Sequence, residues 1–202
     1  MPAVSDRQEC LPHVLQPLLE VADRFAADWL ARHPEGRIVK RDLASDPVPH
    51  LTAERFQAFL SQPDARTAEQ RALTAYSDAL IAELQNADTI VFAVPMYNFS
   101  VPSTLRAYFD HIARAGVTFR YTSNGPEGLL KGKKAYVFIT RGGIYSNAVE
   151  TQTPYLKQFL GFIGITDVQF VYAEGLAMGD ETRQQSLNAA RHAIEELLPH
   201  AA

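Results

Sequence analysis

Two segments of the chain combine residue types that suit ligand binding, and each follows an apolar run of strand length. The first, residues 95–103, reads PMYNFSVPS and is rich in turn formers and aromatic residues. Backbone amides of such a loop can approach a flat heterocycle while its aromatic side chains cover the rings. The second, residues 140–145, reads TRGGIY, and its paired glycines let the main chain approach a ligand closely because no Cβ intervenes.

Either segment alone is compatible with an ordinary loop that closes the end of a core. Proline, asparagine and serine are common in loops, and Tyr97 or Phe99 could pack over the core without touching a ligand. Two such loops at the ends of adjacent strands favour a functional interpretation, because ligands of open parallel sheets bind outside the carboxyl ends of the strands.

The elements that position these loops follow from hydrophobic periodicity. Strands are predicted at residues 37–41, 88–95, 134–140 and 168–173, and the second and third are apolar enough to be buried on both faces. Helices are predicted at residues 15–33, 53–60, 67–84, 104–115 (capped by Ser103), 154–163 and 181–198. This alternation predicts an α/β fold: a doubly wound parallel sheet with helices on both faces.

Length, charge and composition argue against several classes of protein. The 202 residues suit a single domain over residues 1–202, and a formal net charge of −4 without a basic stretch argues against a nucleic-acid partner. No apolar run is long enough to span a membrane, so no membrane association is predicted and the expected location is the cytoplasm. Cys10 is the single cysteine and the six histidines show no ligand spacing, so no metal site is predicted.

Residues 94–145 carry a long and specific resemblance. This stretch closely resembles the bacterial FMN-dependent NADH azoreductases, which are also described as NADH:quinone oxidoreductases. The likeness continues through residues 153–156, 159–167 and 173–175, and it reaches upstream to Trp29 and residues 41–43. It therefore covers most of the chain.

The resemblance implies a flavodoxin-like fold, one FMN per subunit and a homodimer. It implies NADH as electron donor, with quinones reduced by two electrons and azo compounds cleaved reductively in ping-pong fashion on one flavin face. No catalytic acid or base is implied, since the chemistry belongs to the cofactor. The residues implied to bind the cofactor are Met96, Tyr97, Asn98 and Phe99, along the ring, and Thr140, Arg141, Gly142 and Gly143, in the second loop over it.

Two other functions remain open on the sequence. One is an NADPH-linked flavin or drug reductase of the same fold, which relative rates with NADH and NADPH would separate. The other is a flavin-free relative that acts as a binding module, which the visible spectrum of the purified protein would reveal. Residues 119–128 resemble the family's hairpin beside the active site, and Tyr121 and Phe162 are further candidates for shaping it.

Residues 1–16 depart from the resemblance. The family has a first central strand here, followed by a serine-rich loop that binds the FMN phosphate through backbone N–H groups and hydroxyls. In this chain residues 5–9 read SDRQE, which has a poor preference for a central strand. Ser5 carries the single side-chain hydroxyl of residues 1–16, and Pro12 and Pro17 have no backbone N–H to donate. We therefore predict weak FMN binding and a loosened sheet centre for this sequence.

A shifted reading frame is a hypothesis for the origin of this segment. Moving the codons of residues 5–16 forward by one base can encode a serine-rich sequence resembling the family's phosphate loop. Resequencing the DNA across these codons tests the idea, and an intact protein mass that agrees with the given sequence would refute it.

Overall fold

The computed structural model describes residues 2–5, 12–145 and 150–197. The strands are β1 (Pro2–Ser5), β2 (Val39–Asp42), β3 (Thr89–Pro95), β4 (Phe119–Thr122), β5 (Gly125–Gly128), β6 (Lys134–Thr140) and β7 (Asp167–Ala173). The helices are α1 (Pro12–Arg32), α2 (Ala53–Leu60), α3 (Ala68–Asn86), α4 (Ser103–Ile112), α5 (Gln152–Ile163) and α6 (Asp180–Leu197).

Five strands form a parallel sheet in the order β2-β1-β3-β6-β7, and β4 pairs with β5 in a separate antiparallel hairpin. The order places β1 in the interior of the sheet, with β2 on one side and β3 on the other. The predicted doubly wound α/β fold is confirmed, since the chain runs from β1 outward to β2, crosses back to β3 and then continues to β6 and β7.

Two apolar cores cover the two faces of the sheet. Alternate residues of β3 divide between them: Phe92 packs in the core under α3, α4 and α5, and Val91 packs in the core under α1 and α6. Strand β6 divides in the same way, with Val137 on the first face and Phe138 on the second. The continuous apolar character of both strands follows from burial on both faces.

The first central strand differs from the sequence-based expectation. Strand β1 forms at Pro2–Ser5, just upstream of the unfavourable stretch at 5–9, and Val4 lies opposite both Arg41 and Phe92. Pairing with β2 and β3 holds this four-residue segment in the sheet, because β propensity depends strongly on the surrounding sheet. Residues 6–11, where the phosphate loop of the resemblance would fall, lie outside the described residues.

The limits of α4 also correct a prediction. Pro102, rather than Ser103, is the N-cap, and it makes no side-chain cap hydrogen bond. The helix ends at Ile112 instead of continuing to residue 115. Thr118 Oγ1 accepts a 2.9 Å hydrogen bond from the Arg114 N–H and donates one of 2.6 Å to the Ile112 carbonyl, which turns the chain away.

The other predicted elements agree with the structure apart from a few residues at their ends. The hairpin predicted within residues 119–128 is present as β4 and β5. Among the described residues, every helix is too short or too polar to cross a bilayer.

Candidate ring-binding site

The loops after β3 and β6 meet because their strands are neighbours in register. Pro95 lies opposite Thr140, and the Met96 N–H donates a 2.9 Å hydrogen bond to the Thr140 carbonyl. The loops enclose an open cavity of about 230 Å³. Its lining consists of Met96, Asn98, Phe99, Gly142, Gly143 and Tyr145, so both predicted loops contribute to one site.

Residues 97–100 form a tight turn with unusual backbone geometry. Tyr97 and Ser100 exchange two backbone hydrogen bonds of 3.0 and 2.9 Å, and Asn98 and Phe99 have φ angles of 48° and 68°. Positive φ at both central positions defines a type I′ turn, in which asparagine is favourable at the first position and glycine is usual at the second. Phenylalanine at that second position is strained, and such strain tends to persist where function requires it.

The strained turn presents an aromatic ring to solvent beside the cavity. The Phe99 side chain is 62% exposed, and its ring meets that of Tyr145 edge to face with the centroids 6.2 Å apart. One ring belongs to each loop, so together they flank the cavity with surfaces on which a planar ligand can stack.

The second loop is held on one side by the chain that follows β7. The carbonyls of Arg141, Gly142 and Gly143 accept hydrogen bonds of 2.9–3.1 Å from the N–H groups of Leu176, Ala177 and Gly175, respectively. In a trans peptide the C=O and N–H point in opposite directions. The three successive N–H groups of residues 142–144 therefore point away from residues 175–177, and they can serve as donors to a ligand.

Thr140 places a buried hydroxyl at the same edge of the sheet. The residue is 2% exposed, and its Oγ1 makes no hydrogen bond within the described part of the chain. A buried hydroxyl without a partner costs about 1–3 kcal/mol, so such groups call for an explanation. Thr140 is not among the residues that line the cavity, so its assignment to the cofactor stays a prediction.

Arg141 has a different role from the one its position suggests. Its side chain is 2% exposed and points into the protein, where the guanidinium donates to Glu174 (2.9 Å), Thr153 (2.9 Å) and Gln152 (3.2 Å). Glu150 completes the ion pairs at 3.3 Å. The side chain of Arg141 therefore supports the loop from behind, and it does not line the cavity.

The carboxylate of Glu150 is kept ionised by these contacts. Burial on its own would raise the pKa of Glu150, but hydrogen bonds from Thr153 and the positive charge of Arg141 outweigh it and lower the pKa. The Thr153 N–H lies 2.9 Å from one carboxylate oxygen of Glu150, at the first turn of α5. The buried charge of Arg141 is thereby balanced by two carboxylates, those of Glu150 and Glu174.

Sequence reasoning missed several residues of this site. Tyr145 ends the predicted second loop and lines the cavity, and Glu174 follows β7 as the other loops follow their strands, so the strand-end rule could have found both. Gln152 begins a helix far along the chain and contacts the site from behind. The sequence around Gln152 shows no pattern from which its contacts with Arg141 and Pro95 could be predicted.

Together these features can bind a flat heterocycle. The cavity offers aromatic surfaces from Phe99 and Tyr145, while the N–H groups of residues 142–144 point away from residues 175–177. Such a mixture of stacking surfaces and a few fixed polar groups is typical of cofactor sites. The residues present therefore fit a planar ring with hydrogen-bonding atoms along one edge.

The fold and the site define a doubly wound domain of flavodoxin type with a cavity at the carboxyl edge of its sheet. A family model described as having a flavodoxin-like fold (Flavodoxin_2) matches residues 17–198, and the chain belongs to this family. The match begins directly after residues 1–16, the segment that departs from the resemblance.

Relatives and solved structures agree with this assignment. The chain is 52% identical over 178 residues to an FMN-dependent NADH:quinone oxidoreductase of Cellvibrio japonicus, an alignment that covers 88% of each chain. It superposes on an azoreductase from Bacillus anthracis with a TM-score of 0.86 at 25% identity, covering 97% of both chains. An FMN-dependent NADH-azoreductase of the same species, solved in complex with FMN, gives a TM-score of 0.76 at 27% identity, again with 97% coverage of both.

Proposed function

We propose that the protein is an FMN-dependent oxidoreductase that uses NADH to reduce quinones by two electrons and to cleave aromatic azo compounds. The observation that carries the proposal is the convergence of both predicted loops on one cavity, in a chain whose relatives are named for this activity. Bound FMN supplies the chemistry of hydride acceptance and two-electron transfer, and the protein supplies binding and orientation.

The two loops divide the task of holding the ring. On this proposal Met96, Asn98 and Phe99 contact the ring from the first loop, and Tyr97 contributes by closing the turn that presents them. From the second loop, Gly142 and Gly143 approach with their backbone, and Thr140 offers its hydroxyl. Arg141 belongs to the site through its main chain and through the contacts that fix the loop.

The open side of the cavity suits sequential use by two substrates. Phe99, which lines the cavity, is largely exposed to solvent. NADH and the acceptor would occupy the same stacking face in turn, which gives ping-pong kinetics. The residues that line the cavity include no titratable acid or base apart from the Tyr145 phenol, in keeping with proton handling by cofactor and solvent.

The same proposal includes a cytoplasmic homodimer with one FMN per subunit, in which residues 1–202 form a single domain. Several apolar side chains stand exposed on the isolated chain, including Phe56 and Leu60 on α2 and Tyr121 on the hairpin, as expected of a subunit that associates. Light scattering coupled to size-exclusion chromatography tests the assembly. A monomer at micromolar concentration would contradict it.

Flavin binding and nucleotide choice test the function itself. We expect the purified protein to bind FMN when titrated with it, seen as a change in the visible absorbance and fluorescence of the flavin. NADH should support faster quinone reduction than NADPH. Faster turnover with NADPH would favour the alternative flavin or drug reductase, and protein that takes up no flavin would favour a binding module.

Phosphate recognition needs a separate test because residues 6–11 lie outside the described structure. Riboflavin carries the same ring as FMN without the phosphate. If residues 1–16 lack a phosphate loop, as their sequence indicates, FMN and riboflavin should bind with similar affinity through the two ring loops. A preference for FMN of about a hundredfold or more, equivalent to about 2.7 kcal/mol, would show that the phosphate is recognised after all.

A further inference from the structure

The start of α5 touches both ring-binding loops, although it contributes nothing to the cavity lining. We refer to the last two residues before α5 and its first two, Glu150, Thr151, Gln152 and Thr153, as the α5 clamp. Gln152 is its centre, with a side chain that is fully buried. The Gln152 Oε1 accepts a 3.2 Å hydrogen bond from Arg141 Nε, and its Nε2 donates one of 3.1 Å to the Pro95 carbonyl.

These two partners are the points at which the loops leave the sheet. Pro95 is the last residue of β3, and Arg141 directly follows the last residue of β6. The parallel ladder between β3 and β6 already holds the strands up to the pair Pro95 and Thr140. Gln152 therefore binds the chain where the ladder ends, so its two hydrogen bonds act on the loop origins.

The other residues of the α5 clamp bind further positions of each loop through hydrogen bonds and an ion pair. Thr151 donates a 2.6 Å hydrogen bond to the Phe99 carbonyl, inside the strained turn of the first loop. Thr153 and Glu150 bind the Arg141 guanidinium. That guanidinium also holds Glu174, whose Oε1 accepts a hydrogen bond of 3.1 Å from the Tyr145 N–H at the far end of the second loop.

We propose that Gln152 is a positioning residue, which fixes the separation of the two ring-binding loops and so sets the affinity and the reduction potential of the bound flavin. This inference rests on the proposed function. Binding sites work when their groups are held to within about 0.5 Å, and displacements of about 1 Å can cost a hundredfold in rate. A side chain that joins both loop origins is placed to provide that precision.

The test compares Gln152→Met with Leu160→Val. Methionine has a similar length but neither donates to Pro95 nor accepts strongly from Arg141, while Leu160 is equally buried in α5 and packs in the core away from the loops. With stability measured in parallel, Q152M should weaken FMN binding about tenfold and shift the midpoint potential of the bound flavin, the size of effect expected for lost buried hydrogen bonds. L160V should change neither.

A second variant guards against failure of Q152M to fold. Thr151 is exposed, so Thr151→Val removes its hydrogen bond to Phe99 without disturbing the core. T151V should raise the KM for the quinone severalfold while kcat changes little, because the turn that carries Phe99 loses one anchor. Restoring the hydroxyl in Thr151→Ser should recover the wild-type KM.

The possible results separate the inference from the function on which it rests. If the wild-type protein takes up no flavin, the proposed function fails. If the wild-type protein binds FMN, but Q152M matches L160V in FMN affinity and potential and T151V retains the wild-type KM, the positioning role is refuted.

Discussion

Phe99 and Tyr145 both line the cavity, and their rings pack edge to face with the centroids 6.2 Å apart. They belong to different loops, and Phe99 takes part in the contact from a backbone position with φ of 68°. A non-glycine residue in this region is held at a cost of about 1–2 kcal/mol. The residue with the strained backbone, Phe99, is therefore also one of the two aromatic residues that we assign to ring binding.

Replacing Phe99 with glycine should separate stability from activity. Phe99→Gly relieves the positive φ but frees the unfolded chain, so the free energy of unfolding should change by less than about 1 kcal/mol. Loss of the aromatic surface should lower kcat/KM for the quinone about tenfold, consistent with the energy of an aromatic pair. Thermal unfolding and steady-state kinetics measure the two effects. Leu30→Ala, which removes an exposed apolar side chain of α1, serves as control.

That prediction fails in either of two ways. A large loss of stability in F99G would mean that the ring supports the fold, and unchanged kinetics with the quinone would mean that the ring does not contact the substrates.

Gly142 tests the close approach of the main chain to the flavin. A Cβ on Gly142 would meet only the Ala177 Cβ at 3.5 Å, an ordinary contact, so Gly142→Ala should leave the free protein as stable as the wild type. If the flavin lies against this backbone, the added methyl group should weaken FMN binding about tenfold or more. Titration of the protein with FMN, followed by fluorescence, measures the affinity.

Gly161→Ala is the matched control for this experiment. Gly161 lies within α5, and a Cβ there would meet no atom within 4 Å. The variant should gain about 1 kcal/mol from the helix preference of alanine and bind FMN as the wild type does. Equal FMN affinities in G142A and G161A would contradict the proposed approach.

The Thr140 hydroxyl predicts effects of opposite sign in the free and the bound protein. Thr140→Val removes a buried hydroxyl that has no described partner, so the melting temperature of the flavin-free protein should stay the same or rise. The same change should weaken FMN binding about tenfold, which appears as a smaller rise in melting temperature on adding FMN. Thr140→Ser, which keeps the hydroxyl, should retain the wild-type response.

A decrease in flavin-free stability for T140V would show that the hydroxyl already has a partner within the protein. An undiminished FMN-induced shift would remove Thr140 from the cofactor site.

Glu150 makes the free energy of unfolding depend on pH. Its pKa is lower in the folded protein than in the unfolded chain, so the stabilisation from its ionised form is present above the unfolded pKa of about 4.3 and is lost as the pH falls through the folded value. Glu150→Gln should therefore reduce the free energy of unfolding most at neutral pH. The difference from the wild type should shrink below about pH 4. Urea denaturation between neutral and acidic pH measures it, and a difference that stays constant with pH would contradict the assignment.

Much of the fold was predictable because buried strands and helix faces consist of apolar residues with a characteristic spacing. Strands β3 and β6 are apolar throughout since both of their faces are covered, and the helices show the expected spacing of apolar residues. The position of the cavity followed from the rule that ligands bind at the carboxyl ends of parallel strands. That rule needs the order of elements and no detail of side chains.

The rest depended on long-range contacts that no local pattern encodes. Gln152 contacts Pro95 from 57 positions away, and Arg141 contacts Glu174 from 33 positions away. The motif around Arg141 indicated a ligand-binding loop, but the inward direction of its side chain depends on those distant partners. Strand β1 likewise depends on distant residues, because β2 and β3 pair with it on both sides.

The steady-state rate of quinone reduction by NADH, measured with and without added FMN while both substrates are varied, tests the proposed function most directly. We predict that turnover requires FMN and that double-reciprocal plots give parallel lines, since NADH and quinone would use one flavin face in turn. Protein that binds FMN but produces no FMN-dependent turnover, or intersecting lines that indicate simultaneous binding, would contradict it.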